Sequence, residues 1–333
     1  MTSQKNIFAR RGLVVGGVLV AAALLPCAAF AQAWPGAKQI TFLNPFPAGG
    51  GTDAFARPLA PILDQLLGQR IIIDNRGGAG GTVGAAAAAK MEPDGYTFFV
   101  GAAHHTIAPA IYPNLPYDLE KDFIPIGMIA MPPQVVAMSP KALPGVNTLA
   151  EFMAYAKANP GKINFASSGN GTTHHMAGEL FKLTTGLDLT HVPYRGAGPA
   201  MQDLVSGVVH VMFDGLGSSA PQIQGGTIKG LAVAAAKRSD AVPDVPTAIE
   251  SGVKGYEVST WYALWAIKGT PQPIIDRMQA ELKKALATEQ IKSHWAKNGS
   301  EVPNLYGADF GKFVNSEIAR WGQVVKAANV KLQ

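Results

Sequence analysis

Residues Ile40–Asp53 read ITFLNPFPAGGGTD, and the stretch AFARPLAPILDQLL follows directly. Ile40, Phe42 and Leu43 form a short apolar run that ends in Asn44-Pro45-Phe46-Pro47, whereas the second stretch has helical spacing. The pattern predicts a buried strand, a tight turn of small residues and the start of a helix. Gly49, Gly50 and Gly51 leave the backbone bare, so a ligand can approach the unpaired N–H groups of the first helical turn. Those donors, with the positive end of the helix dipole, suit an anion. No lysine follows the glycines, so the Walker pattern for nucleotide phosphates is absent, and only two glycines of a dinucleotide fingerprint can be matched. The competing reading of this stretch is a strand–helix turn with no ligand.

Upstream, residues 1–31 read as an export signal to be removed. Lys5, Arg10 and Arg11 precede an apolar segment, Leu13–Leu25, and Ala29-Phe30-Ala31 is a small-residue cleavage pattern with Ala33 as the alternative. The segment is short for a membrane span, and no later apolar run reaches about 18 residues. Cys27, the only cysteine, falls inside it, so the mature chain is expected to lack thiol chemistry and disulfides. Loss of the signal lowers the net charge from +5 to +2, which gives no support for nucleic-acid binding. The remaining chain exceeds the usual size of one core and suggests two lobes.

Strand and helix signals alternate along it, which is an α/β pattern. Arg70-Ile71-Ile72-Ile73 leads to a second glycine turn, GGAGG, with Thr82 placed to cap the next helix. Tyr96–Val100 is a strand ending in the turn Gly101-Ala102-Ala103-His104-His105-Thr106. Phe123–Met138 reads as two strands broken by Pro132-Pro133, a natural crossing between lobes. The outline then repeats: the strand Ile163–Ala166, the turn SSGNGTT, a helix from about His174, the strand Leu189–Pro193 and an Arg195-Gly196 turn. Val208–Asp214 and Ile228–Ala235 are further strands, and Tyr256–Lys268 reads as one long strand returning to the first lobe. Pro273–Ala287 and Gly307–Ala328 are amphipathic helices. Two open sheets result, each with a bare helix start at the carboxyl ends of its strands, the edge where ligands of such sheets bind.

Taken in order, PAGGGTD, IIIDNRGGAGG, INFASSGNGTTHHMAGELF, HVPYRGAGPAMQDLVSG and VHVMFD resemble the Bug-type extracytoplasmic solute receptors, the binding proteins of tripartite tricarboxylate transporters. The resemblance covers essentially the whole mature chain. It implies a two-lobed, type II periplasmic-binding-protein fold with two open mixed sheets, flanking helices and two interlobe crossings. Residues 32–133 with 255–333 would form the first lobe and 134–254 the second. It further implies a periplasmic, monomeric, non-enzymatic receptor that closes on a small organic carboxylate and delivers it to membrane permease subunits, with no cofactor. The alternative is a sensor that docks onto a membrane signalling partner. Carried onto this chain, the ligand loops are Phe46, Ala48, Gly50, Gly51, Thr52 and Asp53 from one lobe, and Ser167, Ser168, Gly169, Thr172 and Thr173 from the other. His104, Thr106 and Asp214 add side chains. The chain departs from the resemblance at Ala102-Ala103-His104-His105-Thr106, where relatives tend to carry Ser/Thr with a single histidine; that turn is where specificity for the distal end of the ligand is expected to be set.

Other readings compete for the same residues. His104-His105 and His174-His175 suggest metal, yet adjacent residues diverge and neither pair is an i, i+4 couple. Ser167-Ser168 near His174 lacks the strained Gly-x-Ser-x-Gly elbow of a hydrolase. Asp53 and Asp214 could pair as catalytic carboxylates, or Asp53 could serve the first turn of its helix. Arg195 could meet a second acidic group or stand at the surface. Of Trp261 and Tyr262, alternation lets only one face the cleft, and Trp261 is taken as that residue.

Overall fold

The computed structural model describes residues 1–2, 34–327 and 330, so the export signal expected over 1–31, with Cys27 and both cleavage points, lies outside the described residues beyond Thr2. The first lobe opens with β1 (Ile40–Asn44), α1 (Gly51–Ala56), α2 (Ala60–Leu67), β2 (Ile71–Asn75), α3 (Thr82–Ala88), β3 (Thr97–Ala102), α4 (His104–Ile111) and β4 (Phe123–Ala130). The second runs β5 (Gln134–Met138), α5 (Leu149–Ala158), β6 (Ile163–Ser167), α6 (Thr173–Thr185), β7 (Leu189–Pro193), α7 (Ala197–Ser206), β8 (Val211–Gly215), α8 (Leu216–Gln224) and β9 (Lys229–Val233). The chain returns with β10 (Tyr262–Ile267), α9 (Gln272–Leu286), α10 (Glu289–Lys297) and α11 (Gly307–Ala327).

Both lobes use one topology, with sheet orders β2-β1-β3-β10-β4 and β7-β6-β8-β5-β9. In the first lobe β1 pairs in parallel with β2 and β3, in the second β6 pairs in parallel with β7 and β8, and the strand arriving from the other lobe, β10 or β5, is antiparallel to its neighbours. Helices cover both faces, so the strands are continuous apolar runs rather than alternating ones. Phe42 enters the core beneath α1, α2 and α9, while its neighbour Leu43 enters the opposite one, beneath α3 and α11. This is the two-lobed α/β architecture expected, with two mixed sheets and flanking helices.

The crossings lie side by side. Met131–Pro133 leaves the first sheet and Ser259–Thr260 re-enters it; Thr260 N–H donates to Pro132 O (3.1 Å) and Gln134 N–H to Val258 O (2.8 Å). Tyr256 and Val258 pack in the second lobe's core, where Tyr256 Oη donates to Ala177 O at 3.1 Å. The return therefore comes later than the expected boundary at 255, and Tyr256–Lys268 is not one strand. Apolar character alone does not say which lobe covers a residue.

Local corrections have similar causes. The expected turn at His104-His105-Thr106 is the first turn of α4. Thr82 does not cap α3: Gly81 stands at the N-cap, and Thr82 Oγ1 donates back to Ala79 O (2.9 Å). Thr148 caps α5 in a full capping box: its hydroxyl accepts from Glu151 N–H (3.2 Å), and the Glu151 carboxylate accepts from Thr148 N–H (3.1 Å). Thr148→Ala is expected to cost about 1 kcal/mol, read as a lower urea midpoint at unchanged slope; an unmoved midpoint would mean that α5 does not depend on its cap.

Candidate functional site

The edges at which β1 turns into α1 and β6 turns into α6 face one another, and the lobes touch there. In the first lobe, Asn44 Oδ1 accepts from Phe46 N–H (3.2 Å) and Asn75 Nδ2 donates to Phe46 O (2.8 Å), which fixes the turn after β1. Phe46 is buried with its ring edge-on to His104, centroids 5.0 Å apart. Gly51 opens α1 beneath Tyr262: a Cβ there would stand 1.9 Å from the tyrosine Oη, so this close approach requires glycine. The N–H groups of Gly51, Thr52 and Asp53 have no acceptor within the helix.

In the second lobe, Thr172 is the N-cap of α6; its Oγ1 accepts from His175 N–H (3.4 Å) and donates to Gly169 O (2.7 Å). Ser167 Oγ lies 2.6 Å from His191 Nε2 and accepts from Gly169 N–H at 3.1 Å. Burial, then the stacked His175, press His191 down to about 3, so its ring is neutral. Ser168 Oγ and Asn170 Oδ1 are buried without a partner. Asp214 closes β8 fully buried, its Oδ2 accepting from Ser218 and Ser219 hydroxyls, both at 2.6 Å.

Direct contacts join the lobes across this edge. Thr173 N–H donates to His104 Nδ1 at 3.1 Å, and the Thr173 hydroxyl lies 3.2 Å from that of Thr260. Tyr112 Oη stands 3.0 Å from Asn170 O and 3.2 Å from Ala79 O. A Cβ on Gly198 would be 2.6 Å from Ala48 O, and one on Gly80 would be 2.7 Å from Asn170 O. The His104 and His174 rings meet with centroids 5.4 Å apart. Burial, with His174 and His105 beside it, holds His104 well below the ordinary histidine value. His105 points the other way, into the core against Phe99, and burial brings it to about 4. The arrangement is a closed, buried polar seam.

Of the residues expected at the site, the structure brings Phe46, Gly50, Gly51, Thr52, His104, Ser168, Gly169, Thr173 and Asp214 to this seam, with Ala48 at its rim. Trp261 is corrected: it lies behind the first sheet against Trp265, Phe310 and Phe313, and its Nε1 donates to Glu317 at 3.2 Å. Tyr262, one residue on, faces the seam. Asp53 is committed elsewhere, accepting from Arg57 Nη2 (2.6 Å) and Nε (3.1 Å) and from Gly49 N–H (3.3 Å). Their i, i+4 spacing was the available signal. Thr106 Oγ1 donates to Ala103 O (2.7 Å), and Ser167 and Thr172 are spent on the turn, so none of the three offers a free hydroxyl. Arg195 is exposed and forms no ion pair among the described residues. Sequence reasoning left out Tyr112, Gly198 and Thr260, and weighed Tyr262 only to choose Trp261 over it; the glycines of GGAGG and of Gly196-Ala197-Gly198 were the available signal for close interlobe contact. Among the described residues, no group of three or more His, Cys, Asp or Glu is disposed to hold a metal, and no helix is long and apolar enough to cross a membrane.

Comparisons with known proteins bear on this geometry. The family model for the tripartite tricarboxylate transporter family receptor, TctC, matches residues 55–330. The periplasmic binding protein BugD is similar in structure, with a TM-score of 0.85 at 34% identity over 89% of this chain and 99% of that one. Rpa4515 of R. palustris, solved with adipate, has a TM-score of 0.85 at 36% identity, covering 90% of this chain and 99% of its own. MatC from Rhodopseudomonas palustris, solved with bound malate, has a TM-score of 0.81 at 35% identity, covering 87% and 99%.

Proposed function

Because the chain belongs to the tripartite tricarboxylate transporter receptor family, whose members are solute receptors and not enzymes, we propose that it captures a small organic carboxylate between its lobes in the periplasm and delivers it to membrane permease subunits. The observation that carries this reading is the seam itself. Ser168 Oγ, Asn170 Oδ1 and both nitrogens of His174 are buried between two helix starts with no partner. Unpaired buried polar groups are costly, and a bound carboxylate would satisfy the donors among them. The similar proteins solved with adipate and with malate agree in ligand class.

In this mechanism the turn at Phe46–Gly51 supplies backbone donors, and the turn at Ser168–Thr173 supplies a hydroxyl and the start of α6. Closure brings Ala48 onto Gly198 and Tyr112 onto Asn170, which removes water and strengthens each polar contact. The closed face is then what the permease recognises. A thermal-shift screen of residues 32–333 against malate, adipate, succinate, butyrate, nicotinate and the corresponding amides tests the reading. A ligand at 100 times its Kd adds about 2.7 kcal/mol of stability. Stabilisation by an acid and not by its amide is expected; stabilisation by none of the acids, before or after unfolding and refolding, would overturn it.

A further inference from the structure

Two histidines meet between the lobes, and their surroundings treat them differently. His104 Nδ1 receives the backbone N–H of Thr173 at 3.1 Å. A backbone N–H can only donate, so this nitrogen is the bare one and the ring is neutral with its hydrogen on Nε2. Protonating His104 would set one N–H against another and break an interlobe contact. His174 has no such commitment: both its nitrogens are buried and unpartnered. Its Nε2 lies 3.3 Å from Asp214 Oδ1, without the alignment of a hydrogen bond, and that oxygen has no other partner. His174 is 2% exposed and Asp214 0%. The titratable groups around the imidazole are His104 from α4, Asp214 from β8 and, beside Asp214, Tyr262 from β10.

Building on the reading that a small carboxylate occupies this seam, we propose that His174 takes up a proton from solvent when a dicarboxylate binds, so that capture of a dianion is proton-linked. The second carboxylate of such a ligand would enter a buried region that already holds the Asp214 carboxylate. Two buried negative charges without a cation between them are strongly unfavourable. Arg195 is exposed and does not supply the cation. An imidazolium at His174 does: one N–H faces Asp214 Oδ1, and the other is free to donate to the ligand.

The direction of the effect follows from the surroundings. Without ligand, burial holds His174 below the ordinary histidine value, with Asp214 opposing the shift. A second carboxylate raises it. At any pH between the free and bound values, binding takes up a proton, and affinity for the dianion falls about tenfold per pH unit as pH rises through that window. Opening of the lobes returns the proton. A monocarboxylate brings no distal charge and no such dependence.

Titration calorimetry of malate and adipate in phosphate and in Tris at one pH, whose ionisation heats differ, counts the protons. Uptake approaching about one per ligand is expected for the dicarboxylate that binds, and none for butyrate. His174→Gln should bind that dicarboxylate more weakly and without uptake. In 15N-histidine protein, one ring should move to imidazolium shifts on saturation, which decides the matter if the glutamine variant fails to fold. Binding without uptake by the unaltered protein overturns this inference alone. Uptake that survives His174→Gln places the proton on Asp214 or the ligand and overturns the assignment. If no carboxylate binds at all, the receptor reading falls first and this one with it.

Discussion

Gly198→Ala is expected to leave the ligand-free protein as stable as the parent while weakening carboxylate binding by roughly 5- to 150-fold, the equivalent of about 1–3 kcal/mol for an overpacked contact. The added Cβ would meet Ala48 O at 2.6 Å, then Ala48 C and Gly49 C, all backbone atoms of the opposite lobe. Within its own lobe the substitution meets nothing closer, and alanine suits the first turn of α7 better than glycine does. The strain therefore falls on the closed arrangement alone. A ligand can only shift the balance between open and closed by its difference in affinity for the two, so penalising the closed form subtracts directly from binding. Gly196→Ala would be a poorer probe, because Gly196 has φ of +140° and its Cβ would also strike Pro47. Calorimetry against the acid found in the screen, with small-angle scattering to follow compaction, decides the matter. Unchanged affinity with normal compaction would show that Ala48–Gly198 contact is no part of the bound state.

The architecture was legible for a physical reason. Strands buried on both faces are continuous apolar runs such as Val135–Met138, and the turns between strands and helices need glycine wherever two backbones approach, so strand, glycine turn and helix punctuate the chain plainly. The start of α4 was less so: Ala102-Ala103-His104-His105 has no side-chain cap, and Pro109 lies inside the helix. Packing against α11 and β3 helps to hold it as a helix. The hydroxyls of Ser167, Thr106 and Thr172 were read as ligand donors because their residue type permits it. Whether a hydroxyl is free depends on His191, Ala103 and Gly169, neighbours that the fold supplies. His104 and His174 were visible as residues, but not the Thr173 N–H that commits one and leaves the other uncommitted.

The adjacent pair Trp261 and Tyr262 carries the sharpest case, and a second large effect follows from it. Tyr262 pairs with Ala102 and Ala130 in the first sheet, and its ring stacks on Phe55 of α1 at 5.4 Å, on the seam side. Trp261, pointing the other way, lies among Trp265, Phe310 and Phe313 at 1% exposure. Its Nε1 shares Glu317 Oε2 with Trp321 Nε1, each at 3.2 Å, and so ties the returning strand to α11. Trp261→Ala removes a large side chain from a packed core and takes a donor from a buried carboxylate, for a loss of about 3–5 kcal/mol. Glu317 keeps Trp321 and the Arg320 guanidinium at 3.2 Å, so the buried charge is not stranded. The expected result is a much lower urea midpoint with carboxylate affinity of the folded fraction within about twofold, since the lost side chain points away from the seam while the backbone, whose Trp261 O accepts from Ala103 N–H, is kept. Apolar type and alternation are equally satisfied by either residue facing the seam; the register of β10 against β3 chooses between them. A Trp261→Ala protein of parental stability that had lost its ligand would reverse that choice.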